Sequence, residues 1–159
     1  IEALLANGFE GEITAIERSP PMVKHLKAHY DKQIQLRQMD IQNCFSIHEQ
    51  FDVIFFLWSG LADFAQSEQS QVIWQLAQLL AVGGKLIVDA VPESLMPVDA
   101  KKFAPQSFSI EKDSVPTYGG YVPTAQQIND YARSAKLDRV RAIHFKTETN
   151  RDRSIFVLS

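Results

Sequence analysis

FDVIFFLW, residues 51–58, is the stretch that decides the fold. Seven of its eight residues are apolar, and the lone acid, Asp52, sits near its start. An apolar run of strand length without helical spacing suits a strand covered on both faces, as in a parallel sheet. Downstream, Ser67 reads as the N-cap of a helix whose apolar residues Val72, Ile73, Leu76, Leu79 and Leu80 share one stripe. Gly83-Gly84 is expected to end that helix, and KLIVDA (85–90) forms a second buried strand. Upstream, EITAIE (12–17) is a β-branched run, and Ser19-Pro20 starts a helix reaching about Tyr30. Gln33 to Met39 then alternates as a strand that ends at Asp40, and Ile1 to Asn7 reads as a helix stopped by Gly8. Strands alternating with helices predict an α/β fold with a parallel sheet and right-handed crossovers.

Composition narrows the setting. The chain has 159 residues, 45% hydrophobic and 22% charged, which is the range of one soluble globular domain spanning 1–159. No run of about 18 uncharged apolar residues is present, so no membrane-spanning helix is expected, and no basic leader followed by an apolar core opens the sequence. Sixteen Lys and Arg against nineteen Asp and Glu give a net charge of −3, which argues against a nucleic-acid partner. The single Cys44 cannot form an intrachain disulfide, in keeping with a reducing, cytoplasmic compartment.

Residues 91–123 behave differently. They hold Pro92, Pro97, Pro105, Pro116, Pro123 and the Gly119-Gly120 pair, with Phe103, Phe108, Tyr118 and Tyr121 to bury. Short antiparallel strands are expected here, forming an insertion that covers a substrate site, since long excursions in compact domains are usually functional. Thr124 caps a helix to about Lys136, and strands near Val140 to Lys146 and Ser154 to Leu158 close the chain around a turn at Asn150.

In an open α/β sheet, ligands bind beyond the carboxyl ends of the strands. Those ends carry Glu17-Arg18-Ser19, Asp40-Ile41 and Leu57-Trp58-Ser59. A carboxylate at Glu17 suits a ribose diol; one at Asp40 suits an adenine amine, with the Ile41 N–H meeting a ring nitrogen. The alternative, that both acids cap the helices that follow, stays open.

These residues, in this order, resemble class I S-adenosylmethionine-dependent methyltransferases. The segments GEITAIERSPPMVKHLK (11–27), LRQMDIQN (36–43), FDVIFFLWSGLADF (51–64) and LAQLLAVGGKLIVD (76–89) carry the likeness. The resemblance implies a Rossmann-like three-layer sandwich, a mostly parallel sheet with an antiparallel C-terminal hairpin. It also implies S-adenosylmethionine as cofactor, bound by Glu17, Arg18, Met22, Asp40, Ile41, Leu57 and Trp58. The family's first strand and its acid-x-G-x-G-x-G turn have no counterpart among these residues. Two readings follow: a segment preceding Ile1 supplies them, which is favoured, or the domain no longer holds cofactor.

Methyl transfer leaves the reactivity with the cofactor, so no fixed catalytic signature is expected. Asp63, Glu93 and Tyr121 are the candidates to touch substrate. Leu57-Trp58-Ser59-Gly60 stands where enzymes acting on base amines or glutamine carry Asn/Asp-Pro-Pro-aromatic, so those acceptors are disfavoured and a small molecule is expected. No metal site is expected: His25 and His29 share a helix face without a third ligand. Cys44, Trp58, Trp74 and the Phe55-Phe56 pair read as packing residues, with Trp58 also placed to line the site. Two other readings remain, an NAD(P)-dependent oxidoreductase and a non-catalytic methyltransferase-like module paired with another chain; a homo-oligomer is left open.

Overall fold

The computed structural model describes residues 1–90, 101–104, 107–112, 115–150 and 152–159. The chain divides into two units, Ile1–Ser46 and Ile47–Ser159.

The first unit opens with α1 (Glu2–Ala6), which Gly8 leaves at φ +75°, where glycine carries no steric cost. Strand β1 (Thr14–Glu17) pairs in parallel with β2 (Gln35–Gln38), with Glu17 opposite Gln38. Parallel neighbours need a crossover, and α2 (Pro20–Tyr30) provides it. Pro20 and Pro21 occupy the first turn of α2, where a missing N–H costs nothing. Ser19 is its N-cap residue, but its hydroxyl makes no capping bond; the Glu17 carboxylate takes the Ser19 N–H instead. A 3-10 turn, Ile41–Ser46, closes the unit over the buried Cys44.

In the second unit β3 (Phe51–Phe56) runs parallel to β4 (Leu80–Ala90), and β4 pairs antiparallel with β9 (Asp152–Leu158), which pairs antiparallel with β8 (Val140–Lys146). The C-terminal hairpin appears as expected, with Asn150 at φ 58° in its turn. Helix α3 (Gln66–Gln78) crosses over from β3 to β4, burying Gln69, Val72, Ile73 and Leu76 on one stripe. Helix α4 (Ala125–Ser134) starts at a capping box: Gln127 N–H donates to Thr124 Oγ1, and Thr124 N–H donates to Gln127 Oε1. It buries Ile128 and Ala132 and packs on α3. Leu86 opposite Leu158 and Val88 opposite Phe156 form the sheet's share of the core. Within the expected insertion, β5 (Lys101–Ala104), β6 (Ser107–Lys112) and β7 (Val115–Tyr121) make an antiparallel three-stranded sheet, with Tyr121 buried.

Several expectations are corrected. The helix ends at Gln78, before Gly83-Gly84; the glycines instead lie inside β4, where Gly83 has φ +80° and the pairing slips between Phe51 and Val53. A Cβ on Gly84 would lie 3.0 Å from the Phe51 carbonyl oxygen and 2.9 Å from that of Ala81, so this close approach requires glycine. Ser67 lies inside the first turn of α3; Ala65 precedes the helix, its N–H donating to Glu68 Oε2 at 3.0 Å. Strand β3 ends at Phe56, short of Trp58, and is not covered on both faces: Val53 is 41% and Phe55 49% exposed. Its partner β4 alternates, with Leu86, Val88 and Ala90 buried. Among the described residues β3 is an edge strand and pairs with β4 alone. Trp74 is likewise partly exposed and no core residue.

Gln69 is the one buried polar side chain among the described core residues, and it ties three segments together. Its amide nitrogen faces the carbonyls of Leu61 (2.8 Å), Phe64 (3.3 Å) and Tyr121 (2.6 Å). All three are acceptors only, so the NH2 group must point at them. Gln69→Leu is expected to cost roughly 1–3 kcal/mol, the penalty of leaving buried acceptors unpaired. Gln69→Glu, which turns an oxygen on those carbonyls, should cost more; urea unfolding followed by circular dichroism reads both.

Candidate functional site

In the first unit Glu17 ends β1 opposite Gln38 of β2, with Asp40 two residues beyond Gln38 and Met39 N–H donating to the Glu17 carbonyl at 3.1 Å. Glu17 Oε1 accepts the Ser19 N–H at 2.7 Å, and Asp40 Oδ1 accepts the Gln42 N–H at 3.0 Å. Each acid thus takes a backbone N–H at the start of the helical segment that follows it, as the capping alternative required. Capping does not exhaust a carboxylate, which has about four lone-pair sites; it fixes the group and leaves the other oxygen for further acceptance. Asp40 Oδ2 lies 3.4 Å from Arg18 Nη1, an exposed pair of little energetic weight. Met22 projects from α2 as an exposed side chain, and Ile41 opens the 3-10 turn, half-buried.

In the second unit the chain leaves β3 through Leu57, Trp58 and Ser59. Trp58 and Ser59 both adopt left-handed backbone, φ 63° and 58°. For two consecutive residues with side chains this is costly, about 1–3 kcal/mol each. Trp58 is 88% exposed, so the packing role expected for it is not the one it has. The turn is gripped from two other strands. Ser59 N–H donates to Asp89 Oδ1 on β4 at 2.6 Å, and Arg153 Nη1 on β9 donates to Ser59 Oγ at 3.1 Å. Arg153 Nη1 also lies 3.6 Å from Asp89 Oδ2, the two side chains being 20% and 13% exposed. Burial raises the Asp89 carboxyl above its usual range, although the Ser59 N–H and the Arg153 charge pull the other way.

A 3-10 turn, Gly60–Asp63, follows, with Gly60 against the Phe56 ring. Asp63 is exposed. Tyr121 is buried, its hydroxyl accepting from Gln127 Nε2 at 2.7 Å. Because Gln69 holds the carbonyls of both Leu61 and Tyr121, the segment bearing Asp63 and the end of β7 are brought together. A cavity of about 320 Å³ lies beside them, lined by Ala65, Gln66, Ser107, Gly119, Gly120 and Tyr121. Glu93 lies outside the described residues. Among the described residues no group of three or more His, Cys, Asp or Glu could hold a metal. His25 and His29 stack at 4.2 Å, and His29 Nδ1 lies 2.8 Å from the His25 carbonyl oxygen. Burial pushes the Cys44 thiol up, away from nucleophilic use. No described helix is long and apolar enough to cross a membrane.

A family model described as a methyltransferase domain matches residues 1–84, more than half of the chain. The chain belongs to the methyltransferase domain family. Solved methyltransferases share its fold. An S-adenosylmethionine-dependent methyltransferase from Clostridium acetobutylicum aligns with a TM-score of 0.71 at 15% identity, covering 94% of this chain and 75% of its own. The CcbJ methyltransferase from Streptomyces caelestis gives 0.71 at 15%, covering 96% and 76%. CalS10 from Micromonospora echinaspora, an amino pentose methyltransferase of calicheamicin biosynthesis solved with S-adenosylmethionine bound, gives 0.67 at 14%, covering 99% and 78%. No curated protein sequence matches the chain. The fold is therefore the Rossmann-like fold of class I methyltransferases, as the strand order and the segment likeness implied.

In this methyltransferase, sequence reasoning placed Glu17, Asp40 and Leu57-Trp58-Ser59 at strand ends and missed Asp89 and Arg153, which hold Ser59. Asp89 was visible only as one acid inside KLIVDA, and Arg153 is 94 residues from the serine it holds. The raised Asp89 pKa has a consequence. A carboxyl whose folded-state pKa exceeds its unfolded value contributes stability below the unfolded pKa, here near 3.8, and loses it as pH rises through the folded one. Asp89→Asn keeps an oxygen for Ser59 N–H but cannot ionise. Melting temperature should therefore fall less steeply above pH 4 in Asp89→Asn than in the unsubstituted protein.

Proposed function

We propose that this methyltransferase uses S-adenosylmethionine to methylate a small-molecule acceptor. The observation that carries the reading is the Glu17–Asp40 arrangement: two half-buried carboxylates at the carboxyl ends of adjacent parallel strands, each oriented by a backbone N–H. Glu17 Oε2 suits a ribose hydroxyl, Asp40 an exocyclic adenine amine and the Ile41 N–H a ring nitrogen. The exposed Met22 offers an apolar contact for a base, with Arg18 beside Asp40. S-Adenosylmethionine supplies the activated methyl group.

The protein's own work is then to hold the acceptor in line, exclude water and, where the acceptor is protonated, take the proton. Asp63, exposed on the turn after β3, suits the last task. Tyr121 is better suited to hold an acceptor, because Gln127 fixes its hydroxyl. The antiparallel sheet β5–β7, ending beside the cavity at Ala65 and Gly119, belongs to the insertion read as the cover of the acceptor site. Leu57-Trp58-Ser59-Gly60 and the net charge of −3 speak against nucleic-acid acceptors. Among the structural relatives, CalS10 acts on an amino pentose.

Calorimetry should show S-adenosylmethionine binding to the protein, with Glu17→Ala/Asp40→Ala weakening it at least about a hundredfold, two hydrogen-bonded polar contacts at ~1.4 kcal/mol each. Absence of binding heat at millimolar ligand would sink the cofactor assignment. Transfer of labelled methyl into DNA, RNA or protein but not into hydroxylated or aminated small molecules would sink the acceptor assignment.

A further inference from the structure

We propose that Asp89 and Arg153 are positioning residues: from β4 and β9 they hold Ser59, and with it the left-handed turn that presents Trp58 as an aromatic wall at the carboxyl edge of the sheet. The role of that wall toward a ligand rests on the methyl-transfer reading; the positioning itself does not.

The turn after β3 is an unfavourable local structure. Trp58 and Ser59 take φ 63° and 58°, a conformation that single non-glycine residues visit rarely and that a bulky residue avoids. Such strain persists only where the surroundings over-determine it. Here the surroundings are specific. The Asp89 carboxylate takes the Ser59 N–H at 2.6 Å, the Arg153 guanidinium donates to the Ser59 hydroxyl at 3.1 Å, and the two side chains face each other at 3.6 Å. Both charged groups are mostly buried, yet their ordered contacts converge on one serine. Charge-assisted bonds of this kind are about twice as strong as neutral ones, enough to offset the backbone cost.

The result is spent on an exposed indole. Trp58 is the most exposed aromatic among the described residues, at 88%, and follows Leu57 directly at the strand end. A solvated tryptophan on a braced turn is a poor use of apolar area unless something lies against it. Placement at the carboxyl end of a parallel strand is where open α/β sheets take their ligands. The ring offers a flat face to an aromatic or cationic group.

The test labels the protein with 5-fluorotryptophan and assigns the Trp58 fluorine resonance by its loss in Trp58→Phe. Asp89→Ala should shift or broaden that resonance, while Asp89→Asn, which keeps the acceptor, leaves it near its original position. Adding Ser59→Gly to Asp89→Ala should recover part of it, because glycine removes the cost of positive φ at one of the two left-handed positions; an acid that merely stabilised the fold would not be rescued this way. Arg153→Gln serves as a second variant should Asp89→Ala fail to fold, and should broaden the same resonance. S-Adenosylhomocysteine affinity should drop about fivefold to tenfold in Asp89→Ala and recover in part in the double variant, the loss expected when one left-handed residue is no longer held. An unmoved Trp58 resonance in Asp89→Ala and Arg153→Gln overturns the positioning role. A protein that binds no S-adenosylhomocysteine while its Trp58 resonance responds overturns the cofactor assignment and leaves the positioning role standing.

Discussion

Parallel strands cannot be joined by a tight turn, and much of the second unit follows from that constraint. To bring β4 alongside β3 the chain must leave the sheet, cross over as α3 and return. The exit from β3 therefore becomes a free segment at the carboxyl edge, and its backbone groups need partners that the sheet does not supply. Two sets of side chains meet the need. Asp89 and Arg153 take Ser59 at the start of the segment, and Gln69 takes the carbonyls of Leu61 and Phe64 further on. Polar groups that would be liabilities in a core are here the means by which an irregular stretch is held still.

The first unit answers the same constraint with shorter means. Only two residues separate the end of β1 from the start of α2, so the Glu17 carboxylate is close enough to take the Ser19 N–H itself. Asp40 repeats the device before its 3-10 turn. Capping and ligand recognition are not rivals at these positions. A carboxylate already anchored through one oxygen loses less rotamer freedom when the other accepts a ligand hydroxyl.

What the sequence made legible was local. Gly8 after a short helix, Pro20 in a first turn, Thr124 as a helix cap and the turn at Asn150 are each written within a few residues, and each is where it was expected. The strand-end acids were legible for the same reason. Gly83-Gly84 misled because a glycine pair signals a helix stop and a strand irregularity equally well; only the carbonyls of Phe51 and Ala81, crowding Gly84, distinguish them. FDVIFFLW misled because a continuous apolar run does not say which side chains are covered, and Phe55 is half-exposed and Trp58 largely exposed. The Ser59–Asp89–Arg153 cluster has no local signal, its members being 30 and 94 residues apart.

The joints of the stretch between β4 and α4 carry a consequence for how such a protein diversifies. Its entry, Ala90, is fastened by pairing with Ser154. Its exit, Tyr121, is fastened twice, through its carbonyl by Gln69 and through its hydroxyl by Gln127, which also nucleates α4. Every one of these fastenings comes from outside the stretch. With both ends fixed by the scaffold, the length between them enters the folding free energy only logarithmically. The span between Ala90 and Tyr121 is thus open to change in length at little cost, while the strands, helices and capping carboxylates stay as they are.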